Sequence, residues 1–455
     1  MSVFAVKKDD AAMKDKGGEP KPGARYTTAS QKAAFLGQKE KILEKMKLQL
    51  KTELDRLPKP TSPSIGYFHG IADIYSTRLD ELTNFKKGGG HVVGLLCVIA
   101  PAEPIYALGA IPVRICSGES ECAQRAQDLI GDAGLCPLVK SIIGGTISET
   151  SPYIMLSDLI VAPTPCDAKL KVSEILSDSR PVIPMNLPRV KNDAARKVWI
   201  HEINRVIGEI ERLTGRKMRL SGLREAVAKF QDAQVAWGRF SEIRKNGNVI
   251  WGRDALLIAD LSSLDDIGRW TKNLDKLCDE LEGKLEKKEA VAPPDAPRIM
   301  LGGSPIVWPN WKVPTLIEQL GALIVCDELC SGTRVLSNPT VVEENTYNSL
   351  VGAIADRYLY PCTCPCFTPN QERNDNFIRK IKDYRVDGIV FHVLKGCHLN
   401  AIDATRIKIM ASERNIPILI LDSDYGDGDV GQLKIRIEAF LEMIKARKEE
   451  ELLEG

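Results

Sequence analysis

Short apolar runs recur along the chain. In its first half they are Val92-Val93-Gly94-Leu95-Leu96-Cys97, Ile111 to Ile115, Asp158-Leu159-Ile160-Val161-Ala162 and Val182-Ile183-Pro184-Met185. In its second half they are Arg298 to Leu301, Ala322 to Cys326, Gly388 to Leu394 and Ile416 to Leu421. Each reads as a buried strand, because runs of this length are apolar on both faces. Helical stretches fall between them, such as Ile105 to Gly109, Glu121 to Ile130 and a last helix from about Val430 to Lys448. Alternation of this kind predicts parallel sheets covered on both sides by helices.

A different period separates the two halves. Trp199, Ile203, Val206, Ile207, Ile210 and Leu213 form one helical stripe. Leu223, Val227, Phe230, Val235 and Trp237 form a second, and Leu274, Leu277, Leu281 and Leu285 a third. Near the N-terminus, apolar positions from Phe35 to Leu57 predict a helix capped by Ser30 and ended by Pro58-Lys59-Pro60. A further helix is expected around Ile71 to Phe85, closed by Gly88-Gly89-Gly90. The expected class is α/β, with two Rossmann- or flavodoxin-like parallel-sheet domains, a helical segment between them and an N-terminal helical extension. The boundaries are a disordered tail at 1–27, N-terminal helices at 28–90, a first α/β domain at 91–187, a helical segment and linker at 188–297, and a second α/β domain at 298–455. Two such halves predict a cleft between them.

Composition narrows the function classes. With 455 residues the chain needs no disulfide staples to hold a core. A formal net charge of +1 gives no global reason to expect nucleic acid as a partner. No apolar run approaches the roughly 18 residues of a membrane span. The charged first 24 residues lack the apolar stretch of a signal peptide, so a cytoplasmic location is expected. Twelve cysteines in a reducing compartment then need a cause other than disulfides.

Their placement suggests one. Cys97, Cys166, Cys326, Cys330 and Cys397 each end or follow a predicted strand, where open parallel sheets gather ligands. Thiolates are soft donors suited to zinc or iron–sulfur clusters. Paired Cys-x-x-Cys knuckles are absent, and Cys362-Thr363-Cys364-Pro365-Cys366 is the densest group. Dispersed ligands to a cluster fit this spacing better than a closed zinc site. Cys122, Cys278 and Cys326 read as packing residues. No Walker A string occurs, and Gly88-Gly89-Gly90 precedes a strand, so neither nucleotide motif is present. Gly302-Gly303-Ser304-Pro305 reads as a tight turn, and Trp308 with Trp311 as core.

The local strings resemble a known superfamily. Leu96-Cys97-Val98-Ile99-Ala100-Pro101-Ala102-Glu103-Pro104 and its continuation to Arg114, Leu135-Cys136-Pro137-Leu138, and Thr164-Pro165-Cys166-Asp167-Ala168-Lys169 come first. Glu328-Leu329-Cys330-Ser331-Gly332-Thr333-Arg334, Cys364-Pro365-Cys366-Phe367-Thr368-Pro369-Asn370, Lys395-Gly396-Cys397-His398 and Asp422-Ser423-Asp424-Tyr425 follow. In this order they resemble the 2-hydroxyacyl-CoA dehydratase and benzoyl-CoA reductase superfamily over about residues 90 to 445. The cysteine-rich pattern is most similar to its double-cubane cluster proteins.

That resemblance implies an anaerobic iron–sulfur oxidoreductase, a homodimer, reducing a small molecule. It implies a double-cubane [8Fe-9S] cluster and electrons from a separate ATP-dependent [4Fe-4S] activator. Cys97, Cys136 and Cys397 match the set that holds one cubane; Cys166, Cys330 and Cys366, with Cys116 in reserve, match the second. Glu103 and His398 are the candidate proton donors, and Lys140 a candidate to offset cluster charge. Two other readings stand beside this one. The chain could be a single [4Fe-4S] subunit of a 2-hydroxyacyl-CoA dehydratase or benzoyl-CoA reductase, or a non-catalytic electron-transfer component of a larger redox complex.

Overall fold

A computed structural model describes residues 37–131 and 134–454. The proposed helix cap at Ser30 and the tail at 1–27 lie outside them. All eight apolar runs are strands: β1 (Val92–Leu95), β2 (Ile111–Arg114), β3 (Leu159–Pro163), β4 (Val182–Met185), β5 (Arg298–Gly303), β6 (Leu323–Glu328), β7 (Gly388–Leu394) and β8 (Ile418–Ser423). They build two four-stranded sheets with the same order, β2-β1-β3-β4 and β6-β5-β7-β8. Every pairing is parallel, for example Val93 against Leu159 and Met300 against Ile389. In each sheet the chain leaves the first strand in one direction and returns on its other side. The crevice between β1 and β3, and between β5 and β7, is therefore a topological switch point, where ligands collect at the carboxyl ends.

The segment between the sheets holds four helices, Asp193–Thr214, Leu220–Asn246, Gly252–Leu261 and Ile267–Glu286. The third was read from the sequence only as part of the helical segment, and every one of its residues is buried. Val235, placed on the second stripe from spacing, is instead 64% exposed.

The expected helix from Ile71 to Phe85 is two helices, Pro63–Ile71 and Thr77–Lys87. Ser62 caps the first through Ile65 N–H, and a turn in which Ser76 Oγ donates to Asp73 O separates them. Trp308 and Trp311 pack edge to face at 5.4 Å in the core, and Trp308 Nε1 donates to Ala72 O at 2.8 Å. One hydrophobic cluster runs from Leu50 to Ile444 and includes Val113, Ile160, Leu257, Ile299 and Val390. It joins the helical segment to both sheets. No helix among the described residues is long and apolar enough to cross a membrane.

Candidate functional site

The carboxyl ends of both sheets face one cleft with about 120 Å³ of space for the centres of water-sized spheres. Seven cysteines line it: Cys97, Cys136, Cys166, Cys330, Cys362, Cys364 and Cys397. Cys97 lies two residues beyond β1, Cys166 three beyond β3, Cys330 two beyond β6 and Cys397 three beyond β7. The topology, not proximity in sequence, thus gathers them. Cys366 is buried beside Cys364. Cys116 packs with Cys136 and Cys397 around Leu138, Leu394 and Tyr425, and its Sγ donates to Leu96 O at 3.1 Å.

Local structure explains how these thiols are held. Cys136, Cys166 and Cys397 each occupy the N-cap of a helix, Pro137–Ile147, Asp167–Ser177 and His398–Ser412. Gly396, at φ +75°, brings the Cys397 loop against the backbone before Cys136. A Cβ at that glycine would stand 2.5 Å from Gly134 O. Asn400 Nδ2 donates to Cys397 Sγ at 3.2 Å.

The dense cysteine loop is fixed by a buried polar network. Asn370 Nδ2 donates to Cys364 O at 2.7 Å, and Arg373 Nη1 to Thr363 O at 3.0 Å. Arg334 Nε donates to Thr363 Oγ1 at 3.1 Å, and the Thr363 hydroxyl donates to Glu328. Burial would raise the Glu328 carboxyl, but Lys380, Arg334 and Arg373 outweigh it and hold it well below the usual range.

Charge in the cleft is arranged around the thiols. Burial pushes Cys330 up to about 11 and Cys136 and Cys362 up to about 12. Cys364 runs the other way, down to about 6, chiefly because the Cys366 thiol donates to it, with Arg334 nearby. Lys169 is half-buried amid Cys97, Cys116, Cys330 and Cys166. Burial would lower it, but those thiols outweigh that and keep it charged. Its Nζ donates to Leu96 O at 2.9 Å, the same carbonyl that accepts from Cys116.

Among the described residues, no three His, Cys, Asp or Glu side chains converge as they would on a single metal ion. The thiols instead ring a wider space. That suits a polynuclear iron–sulfur group, in which different thiolates bind different irons.

The three non-cysteine candidates fare differently. Glu103 is fully buried at the start of the helix Glu103–Ala107 and accepts from Tyr358 Oη at 3.1 Å. Burial holds its carboxyl above the usual range, and Tyr358 connects it to the cleft. Lys140 is not among the cleft-lining residues; its Nζ donates to Gln127 Oε1 at 3.4 Å on the neighbouring helix. His398 is exposed and lines a separate groove with Ile402 and Arg406, facing out from the cleft. The basic groups at the thiols are Lys169 and Arg334. Both stood in the quoted strings, at Cys166-x-x-Lys169 and Cys330-x-x-x-Arg334.

Comparison with known proteins bears on this thiol-lined cleft. The family model of the 2-hydroxyglutaryl-CoA dehydratase D-component matches residues 97–444. The chain belongs to that family. The family match begins at Cys97 and so covers every cysteine of the cleft. A relative named "Putative dehydratase subunit YjiM" from Escherichia coli is 31% identical over 83% of this chain and 97% of its own length. The (R)-phenyllactyl-CoA dehydratase beta subunit of Clostridium sporogenes is 21% identical over 84% of this chain and 100% of its own length. The (R)-2-hydroxyglutaryl-CoA dehydratase subunit beta of Acidaminococcus fermentans is 21% identical over 80% and 95%. In the 2-hydroxyglutaryl-CoA dehydratase D-component family, this chain thus matches relatives along nearly their whole length.

Proposed function

We propose that this member of the dehydratase family is a low-potential iron–sulfur reductase carrying a double-cubane [8Fe-9S] cluster. The observation that carries this reading is the ring of seven cleft-lining cysteines, with Cys116 and Cys366 beside it. One cubane on three cysteines would leave the rest unused. Cys97, Cys136 and Cys397 would hold the first cubane, and Cys166 and Cys330 two positions of the second. Cys362 and Cys364, on the cleft wall, compete with Cys366 for the last position, and Cys116 stays in reserve. Such a cluster supplies stored low-potential electrons.

The chain's own residues do the rest. Lys169 and Arg334 offset thiolate charge, and Glu103 holds a proton that Tyr358 connects to the cleft. Electrons would come from an ATP-hydrolysing iron–sulfur activator, and the chain would act as a homodimer on a small molecule. Anaerobic purification with iron and sulfide analysis tests this reading. About eight irons per chain support it; about four overturn it.

A second reading is favoured by the relatives' names. The chain would be a single-cubane dehydratase subunit acting on an acyl-CoA with a second subunit. It expects about four irons per chain and measurable acyl-CoA binding, and absence of both removes it.

A further inference from the structure

Behind the cleft lies a second cavity, beyond the wall that Cys97 and Tyr358 form. It has about 50 Å³ of space for the centres of water-sized spheres. At roughly 10–15 Å³ per water, that is room for a guest of about three or four non-hydrogen atoms. It shares one wall with the cleft, formed by Cys97, Val98, Val335, Arg357 and Tyr358. Its far end is closed by Tyr106 and Phe230, packed edge to face at 5.7 Å, and by Gln234.

The polar groups around it are unequally engaged. Arg114 Nη2 pairs with Asp260 at 2.8 Å while its Nη1 has no hydrogen-bond partner, and Asp265 accepts from Arg269 and Tyr67. Gln234 is only 3% exposed, and its Oε1 accepts from Thr340 N–H at 2.9 Å. Its Nε2 has no hydrogen-bond partner, and neither does Arg357 Nε on the shared wall. A buried donor left unpaired costs about 1–3 kcal/mol, so an acceptor brought between these groups recovers that cost. Leu95, Ala102 and Ile267 supply apolar wall, beside Ser262 and Ser263, whose hydroxyls donate to backbone carbonyls. Unpaired donors in such an enclosure select a guest with an acceptor atom.

We infer that this chamber binds a small molecule with an apolar body and one hydrogen-bond acceptor, such as a short carbonyl or nitrile compound, with Gln234 as its donor. Its use as a substrate position beside Cys97 rests on the reductase reading above; binding itself does not.

Acetone and xenon are suitable probes of the purified full-length protein. Crystals pressurised with xenon and crystals soaked in acetone should show both in the chamber, the acetone oxygen on Gln234 Nε2 or Arg357 Nε. In solution, ligand-observed NMR titration should give acetone affinity about five- to tenfold weaker in Gln234→Leu, which removes the donor at similar volume. That variant should keep xenon, and Ala102→Leu, which fills the space, should lose both.

Three results overturn the proposal: ordered waters that acetone does not displace, binding at crystal concentration only, or unchanged affinity in both variants. Iron and sulfide counts on the same preparations separate the two claims. Four irons with acetone in the chamber removes the double-cubane reading and keeps the chamber, and eight irons with an impermeable chamber does the reverse.

Discussion

Single side chains decide the chemistry of the cleft. Lys169 is the cation closest in effect to Cys97, whose thiol is raised by burial and lowered by that lysine. Lys169→Met should leave less thiolate at Cys97 and slow its alkylation, because the attraction that lowers its pKa is removed. Alkylation rates of the metal-free protein, followed residue by residue by mass spectrometry, check this; an unchanged rate at Cys97 would sink it. Glu103 makes a contrasting case. Because burial favours its neutral form, Glu103→Gln keeps shape and the Tyr358 contact and should cost under about 1 kcal/mol. Glu103→Ala leaves a cavity and an unpaired buried hydroxyl and should cost about 2–4 kcal/mol. Urea unfolding of the two variants separates them. Neither effect follows from residue type alone: the sequence named Lys140, whose Nζ meets Gln127, whereas Lys169 is the lysine among the thiols.

Strands and their ends set the next level. Gly303 closes β5 at φ +105°, and a Cβ there would fall 2.0 Å from His392 O on β7. Gly303→Ala should therefore destabilise by more than about 2 kcal/mol or prevent folding, because both backbone angle and space forbid the methyl group. A thermal melt of the purified variant reads this, and wild-type stability would refute it. His392 itself is buried in β7, hydrogen-bonded to Ser423 on β8. Burial lowers it to about 4, from an unfolded value near 6.5. The folded state thus binds fewer protons between those values. The stability this gives is present above about pH 6.5 and is lost as pH falls toward 4. Unfolding free energy should drop by about 1–2 kcal/mol more between pH 6.5 and 5 in the wild type than in His392→Gln. Equal slopes would show that the site does not titrate this way.

At the scale of the molecule, the two sheets share one core. The cluster from Leu50 to Ile444 crosses both, and the buried Arg114–Asp260 pair ties β2 to the helix Gly252–Leu261. Calorimetry should therefore show a single cooperative transition; two separated ones would mean that the sheets fold independently. Much of this architecture was legible in the chain. Eight strands announced themselves because both their faces are apolar, a local property. The amphipathic helices did so because one face meets water. The helix Gly252–Leu261 was not singled out, and it is buried on every side. The cysteine strings and their order pointed to the family, and strand-end placement pointed to a shared cleft. What the sequence by itself determined is which residues stand at the ends of strands and at the caps of helices, because those depend on neighbours in the chain. Only the tertiary structure decided which of them meet. Bringing Cys97, Cys330 and Cys397 to one cleft, turning His398 outward and leaving Gln234 facing an enclosed chamber depend on contacts between residues far apart in sequence. No local pattern encodes the direction in which such a side chain points.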